Sequence, residues 1–163
     1  DVALSALDAD ASRCAGMMCE LARLGLEAPG SNVQLRAADC SALESWWDGI
    51  PFDRILADVP CSASGVVRRH PDIKWLRRGS DLAAFAARQA RILDALWRTL
   101  APGGKLLYVT CSVFPEENGA VVDAFAARTP GARRAPLAGG APAQLLPGPE
   151  HDGFFFALLE KPA

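Results

Sequence analysis

Histidine is scarce in this sequence, and its cysteines follow no paired pattern. Only two histidines occur among 163 residues, and none of the five cysteines belongs to a Cys-x-x-Cys pair. A structural zinc site therefore has few ligands to draw on, and we expect no bound metal. The odd number of cysteines argues against a disulfide framework, so we expect free thiols in a reducing cytoplasm.

Long apolar runs and an excess of charge of one sign are lacking as well. No run approaches the roughly 18 apolar residues of a membrane span, and no secretion signal is found, so we expect no membrane association. Seventeen Lys and Arg against nineteen Asp and Glu give a net charge of −2, which excludes general coating of nucleic acid. The length indicates one domain, residues 1–163, and the start at Asp1 without a methionine suggests part of a longer chain.

Short apolar runs alternate with segments of helical periodicity. Strands are predicted at Val2–Leu7, Val33–Ala37, Asp53–Asp58, Lys105–Thr110 and Gly153–Glu160, and helices at Ala11–Leu24, Asp81–Leu100 (capped by Ser80) and Pro115–Arg128. This alternation predicts an α/β fold with a mostly parallel sheet and helices on both faces. The carboxyl ends of such strands share one edge, where ligands bind.

Five side chains that can bind a ligand or react lie at or just after predicted strand ends. They are Asp8, Asp39, Asp58, Cys61 and Cys111. A carboxylate at a strand end accepts hydrogen bonds from both hydroxyls of a ribose or from an adenine amino group, and it equally serves as a helix cap or turn residue. We expect the five to meet around one cleft.

The cysteines divide by their neighbours. Cys14 and Cys19 lie on a predicted helix and suit buried positions, whereas Cys61 lies in a stretch of small residues. Cys111 lies between two hydroxyl residues ahead of a predicted helix, whose dipole favours a thiolate. No histidine adjoins either thiol in sequence, so a Cys–His hydrolase has little support, although His70 remains available in space.

Residues 68–78 are locally basic in a chain that is net acidic. The candidate nucleic-acid contacts are Arg68, Arg69, His70, Lys74, Arg77 and Arg78. Cations that surround an exposed aromatic ring bind phosphates while the ring stacks on a base, which would be the role of Trp75. The alternative is a solvated loop with Trp75 in the core.

Two motifs resemble those of the RNA cytosine-5 methyltransferases. Residues 58–65, Asp-Val-Pro-Cys-Ser-Ala-Ser-Gly, resemble the family's fourth motif, and Thr-Cys-Ser at 110–112 with Pro-Glu-Glu-Asn at 115–118 resembles its sixth. Residues 68–78 and 152–156 are similar to the Sun/RsmB branch, which acts on small-subunit ribosomal RNA. The resemblance extends over essentially the whole chain.

The resemblance implies a Rossmann-like fold that uses S-adenosyl-L-methionine (AdoMet). Cys111 would be the nucleophile that adds to C6 of a cytosine, and Cys61 would assist release of the covalent adduct. Asp58 would contact the cofactor or the target base. Asp8 would hold the ribose of AdoMet and Asp39 its adenine.

The sequence departs from the family at its beginning. A glycine-rich Cys-Ala-x-Pro-Gly-Gly-Lys loop, which follows the first strand and holds the methionine end of AdoMet, does not occur in it. We therefore expect a partial catalytic domain that lacks the first strand and the family's RNA-binding domain, binds AdoMet weakly or not at all, and is inactive alone. A tRNA cytosine-5 methyltransferase and a non-catalytic RNA-binding or scaffold fragment remain alternatives; an NAD-dependent dehydrogenase is disfavoured because no Gly-x-Gly-x-x-Gly follows a strand.

Overall fold

The computed structural model describes residues 2–26 and 32–163 and divides the chain after residue 50 into two units, where length alone indicated one domain. The first unit contains β1 (Leu4–Asp8), α1 (Ala11–Arg23) and β2 (Val33–Ala37). The second contains β3 (Phe52–Asp58), α2 (Ile73–Leu76), α3 (Gly79–Thr99), β4 (Leu100–Thr110), α4 (Gly119–Arg128), β5 (Arg133–Ala135), β6 (Gln144–Leu145) and β7 (Phe154–Glu160). No helix in these described residues is long and apolar enough to span a membrane.

The first unit is a strand–helix–strand arrangement. β1 and β2 pair in parallel, with Asp8 opposite Ala37. The Asp10 carboxylate caps α1 by accepting from the backbone N–H of Ser12 at 2.8 Å. Gly25 follows the helix with φ +69°, a left-handed conformation that glycine adopts without strain. The pattern of capping residue and terminal glycine predicted this helix to within a residue.

The second unit contains a mixed sheet, so the prediction of a mostly parallel sheet is wrong here. The strand order is β3-β4-β7-β5, with β6 also paired to β7. β3 and β4 are parallel because α3 carries the chain back across the sheet between them. β7 is antiparallel to β4, β5 and β6. α4 returns the chain so that β5 runs in the direction of β4, but among the described residues no α-helix lies between β5 and β7 to return it again.

The core of the second unit lies on one face of this sheet. Tyr108 of β4 and Leu159 of β7 are completely buried on that face. α3 and α4 pack against each other through Trp97 and Phe125, whose rings meet edge to face at 5.5 Å. Leu56 has 70% of its surface exposed, and among residues 51–163 the expected cover of helices on both faces is not seen.

Two predicted helix boundaries are wrong. α3 begins earlier than predicted and is capped at Arg78, whose N–H donates to the Asp81 carboxylate at 2.9 Å, so Ser80 lies inside the helix. The predicted helix at residues 115–128 is a 3₁₀ turn followed by α4, because Asn118 has φ −113° and ψ −107°. Its side chain hydrogen-bonds to Thr110 of β4, to Ser112 and to Gln144 of β6.

Candidate active site

Two thiols meet where β3 and β4 end. Cys61 follows β3 by three residues and Cys111 comes directly after β4. Because the two strands are adjacent and parallel, their carboxyl ends lie side by side, and the Cys61 and Cys111 Sγ atoms are 3.4 Å apart. Both cysteines are free. We call residues 59–65 the Cys61 loop and residues 111–114 the Cys111 loop.

The two thiols have opposite protonation tendencies. Cys61 is buried and keeps its proton, because the contact with Cys111 and the loss of hydration both raise the pKa of Cys61. The hydrogen bond from Cys61 lowers the pKa of Cys111, against opposing effects of partial burial and of the Asp58 and Glu117 charges. Cys111 is therefore the better thiolate of the pair. Asp58 ends β3 and is exposed.

The Cys61 loop passes through a narrow gap at Gly65. The Gly65 N–H donates to the Cys111 carbonyl at 2.8 Å, and the Gly65 carbonyl accepts from the Gly153 N–H at 2.8 Å. A Cβ atom at position 65 would lie 2.1 Å from the Gly153 carbonyl oxygen. Only glycine fits this place, which explains the last residue of the fourth motif.

A buried polar cluster joins the two loops. The Glu117 carboxylate accepts from the Ser62 N–H at 2.7 Å and from the Ser112 hydroxyl at 2.7 Å. Gln89 of α3 donates to the same carboxylate at 3.3 Å. No separate role for Gln89 or Glu117 was predicted from the sequence, although Glu117 lies in the stretch 115–118 that resembles the sixth motif and Gln89 lies among apolar residues at helical spacing. The detectable signal was an amide on a stripe that is otherwise hydrophobic.

Asn118 fixes the Cys111 loop from the other side. Its amide nitrogen donates to the Ser112 carbonyl at 2.9 Å and to the Gln144 side chain at 2.8 Å, and its oxygen accepts from the Thr110 hydroxyl at 2.5 Å. These bonds account for the interruption of the predicted helix at Asn118.

The first unit holds the other two predicted acids. Asp8 is the last residue of β1, and Asp39 follows β2 by two residues; the two strands are neighbours in one parallel sheet. Asp8 accepts from the Asp10 N–H at 2.8 Å, and its second oxygen lies 3.8 Å from Arg13. Asp39 accepts from the N–H and hydroxyl of Ser41 at 2.8 and 2.7 Å. Both carboxylates lie at the carboxyl edge of the sheet, and each also accepts a hydrogen bond from the backbone N–H two residues later, as turn residues do.

Three arginines of the basic segment make contacts inside the second unit. Arg69 pairs at 2.7 Å with the buried carboxylate of Asp152, and Arg68 donates to the Pro149 carbonyl at 2.6 Å. Arg77 donates to the Ser62 carbonyl at 2.9 Å and so braces the Cys61 loop. The side chains of Arg68 and Arg69 remain 52% and 67% exposed.

The other three basic residues of the segment face solvent. His70, Lys74 and Arg78 are exposed. Trp75 has 81% of its surface exposed, so the alternative expectation that Trp75 lies in the core is wrong. The Lys74 ammonium lies 5.3 Å from the centroid of the Trp75 ring.

Three further cysteines lie in the first unit. Cys14 is buried as predicted, whereas Cys19 is exposed, contrary to the prediction, and Cys40 is half-buried. Across residues 2–26 and 32–163 no group of three or more His, Cys, Asp or Glu side chains is arranged to hold a metal ion.

Comparison with known proteins agrees with the motifs. The family described as "16S rRNA methyltransferase RsmB/F" matches residues 1–160. The chain belongs to this family. It is 51% identical over 161 residues to ribosomal RNA small subunit methyltransferase B of Vibrio cholerae, covering 96% of this chain and 35% of that protein. The protein of the same name from Xanthomonas campestris is 48% identical, with 97% and 37% covered. The chain thus spans little more than a third of these relatives.

Solved structures agree with the family assignment. A methyltransferase homologue from Pyrococcus horikoshii superposes with a TM-score of 0.80 at 30% identity, covering 99% of this chain and 54% of the other. NSun6 from the same organism, solved with SFG, also gives 0.80 at 30% identity, with 96% and 41% covered. The Rossmann-like α/β methyltransferase fold is therefore that of this chain.

Proposed function

We propose that this chain is part of a catalytic domain that methylates C5 of a cytosine in small-subunit ribosomal RNA, with AdoMet as the cofactor. The observation that carries the proposal is the 3.4 Å contact between two free thiols at the ends of adjacent parallel strands. Family membership supports RNA methylation, and the names of the relatives support ribosomal RNA.

Cys111 is the nucleophile in this proposal. Its lowered pKa favours the thiolate, the form that attacks a ring carbon. Addition of the sulfur to C6 of cytosine makes C5 nucleophilic. After methylation the C5 proton leaves, and expulsion of the Cys111 thiolate restores the aromatic ring. Cys61, which keeps its proton beside Cys111, assists release of the adduct.

Three carboxylates are proposed to hold the cofactor, which supplies the methyl group when bound. Asp8 and Asp39 suit the adenosine, because both stand at the carboxyl edge of one parallel sheet and carboxylates accept from ribose hydroxyls and from an adenine amino group. Asp58 is exposed at the end of β3, and its charge acts on Cys111, so it contacts the cofactor or the target base.

The basic segment is the proposed RNA contact. His70, Lys74 and Arg78 are exposed and suit phosphate binding, and Trp75 offers an open ring for a splayed base. Arg68, Arg69 and Arg77 belong to the same segment, but each also has an internal contact. Substitution of these three arginines would therefore disturb the loops as well as the RNA contact.

Trapping of a covalent adduct tests the proposal. The chain is joined to the preceding residues of the Vibrio cholerae relative and incubated with AdoMet and small-subunit ribosomal RNA that contains 5-fluorocytosine. The fluorine cannot leave as the C5 proton does, so the adduct persists and is detected by mass spectrometry. We expect an adduct with the wild type and with Cys61→Ala, and none with Cys111→Ala.

The RNA supplied separates the alternatives. An adduct with a tRNA transcript in place of ribosomal RNA would favour a tRNA methyltransferase. No adduct in the wild type, with RNA binding retained, would favour a scaffold role and contradict the proposal.

A further inference from the structure

A completely buried carboxylate connects the two cysteine loops. The Glu117 side chain has no solvent exposure. Burial of an ionised carboxylate is costly unless hydrogen bonds compensate for the lost water, so its partners indicate its role. The reaction proposed above gives Glu117 no part.

The partners of Glu117 are the residues next to the thiols. One carboxylate oxygen accepts from the backbone N–H of Ser62, directly after Cys61, and the other accepts from the hydroxyl of Ser112, directly after Cys111. Both distances are 2.7 Å, although the loops are about fifty residues apart in the chain. A single side chain thus spans the two loops.

Rigid elements hold Glu117 in place. Gln89 of α3 donates to its carboxylate at 3.3 Å and, through the same nitrogen, to the Pro60 carbonyl at 2.9 Å. Tyr108 of β4 donates to the Glu117 carbonyl at 2.6 Å. The carboxylate is therefore fixed relative to the helix and the strand that carry the site.

We propose that Glu117 is a positioning residue whose carboxylate holds the Cys61 loop against the Cys111 loop and so keeps the two sulfur atoms in contact. Hydrogen bonds to an ionised acceptor are about twice as strong as neutral ones, which suits a residue that must hold two loops. The proposal rests on the proposed function only in assigning both thiols to the reaction. Its geometric part stands on the contacts alone.

The charge of Glu117 is not what activates Cys111. That charge raises the pKa of Cys111, whereas the hydrogen bond from Cys61 lowers it and is the larger effect. Glu117 therefore helps Cys111 by holding Cys61 within 3.4 Å, at some electrostatic cost. Removing the charge and removing the contacts should shift the Cys111 pKa in opposite directions.

Thiol–disulfide exchange measures how firmly the loops are held. In the full chain, Cys61 and Cys111 reduce glutathione disulfide, giving one protein disulfide and two molecules of glutathione. The equilibrium constant, with the bridge identified by peptide mapping, reports the effective concentration of one thiol at the other. We expect Glu117→Ala to lower it about tenfold or more, because two bonds to a charged group are lost.

Two control variants isolate the effect. Glu116→Gln removes the same charge from the exposed neighbour and should leave the equilibrium constant unchanged. Val122→Ala opens a cavity at a completely buried position of α4 and should lower stability without changing the exchange. All measurements are made below the unfolding midpoint of the weakest variant.

The rate of alkylation by iodoacetamide as a function of pH gives the pKa of Cys111. This pKa is a second test of the role of Glu117. Glu117→Gln keeps an acceptor oxygen but loses the charge, so the Cys111 pKa should fall; in Glu117→Ala it should rise as Cys61 moves away. If Glu117→Ala leaves both the exchange and the pKa unchanged, Glu117 is an ordinary core residue and the proposal is wrong.

A second variant, Ser112→Ala, tests the same contact between the loops. If Glu117→Ala does not fold, Ser112→Ala removes one of the two contacts and should lower the equilibrium constant several-fold; no change there contradicts the proposal. Failure of methyl transfer would appear in the trapping experiment and leave the thiol measurements unaffected, so the two proposals fail separately.

Discussion

At the scale of single residues, the site depends on the small size of Gly65 more than on its backbone freedom. Its N–H and carbonyl bond to Cys111 and Gly153, so the backbones of three segments meet at this point. The neighbouring Ala63 has φ +61°, a left-handed conformation that is unfavourable for a residue with a Cβ atom. The Cys61 loop thus contains one unfavourable backbone conformation between Cys61 and the close contact at Gly65.

Replacement of Gly65 by alanine should damage the fold of the second unit. The new Cβ atom would lie 2.1 Å from a backbone oxygen, so main chain must move, and we expect a loss of about 1–3 kcal/mol in the free energy of unfolding. Gly79→Ala is the control, because a Cβ at the first residue of α3 meets nothing within 4 Å. Chemical denaturation of both variants checks this, and equal stabilities would contradict the close contact seen at Gly65.

At the scale of elements, local patterns predicted most helices and strands, and long-range contacts decided the rest. β2 has the predicted boundaries and α1 differs by one residue, because capping residues and apolar spacing act within a few positions. The break at Asn118 depends on Thr110, Ser112 and Gln144, which periodicity does not reveal. The antiparallel β7 likewise depends on pairing with a strand far away in sequence.

The candidate site was predictable in part for the same reason. Parallel strand ends brought Cys61 and Cys111 together as expected, since that rule needs only strand order. Glu117 and Gln89 were missed because their buried contacts come from three different elements. The local signals were the polar Gln89 among apolar residues at helical spacing and the position of Glu117 in the stretch that resembles the sixth motif.

The short helix α2 gives an element-scale test of RNA binding. Its Trp75 is 81% exposed, so Trp75→Ala should leave stability within about 0.5 kcal/mol of wild type. If the ring stacks on a base, affinity for a ribosomal RNA fragment should fall by about 1–3 kcal/mol in a fluorescence-anisotropy titration. Leu76→Ala, 65% exposed in the same helix, is the control for loss of apolar surface alone. Equal affinities for both variants would exclude stacking by Trp75.

At the scale of the whole molecule, the groups proposed for the reaction are distributed over two units. Asp8 and Asp39 belong to residues 1–50, and the thiols belong to residues 51–163. The carboxylates suit the adenosine of AdoMet, but its methionine end carries a carboxylate and an ammonium group that need partners of their own. The resemblance to the family implies that a glycine-rich loop provides them, and these 163 residues contain no such loop.

The binding of AdoMet should therefore depend on residues that the relatives have and this sequence does not contain. Each charged hydrogen bond contributes about 1.5–3 kcal/mol, so the loss of two should weaken binding by about a hundredfold or more. Isothermal titration calorimetry is expected to show little heat for the 163-residue chain and clear binding once the preceding residues of the Vibrio cholerae relative are joined to it. In the joined protein, Asp8→Asn should weaken binding, whereas Asp48→Asn, a change of the same charge in the same unit, should not. Tight binding by the 163-residue chain would show that the adenosine contacts suffice, and the proposed inactivity of the chain would then need another cause.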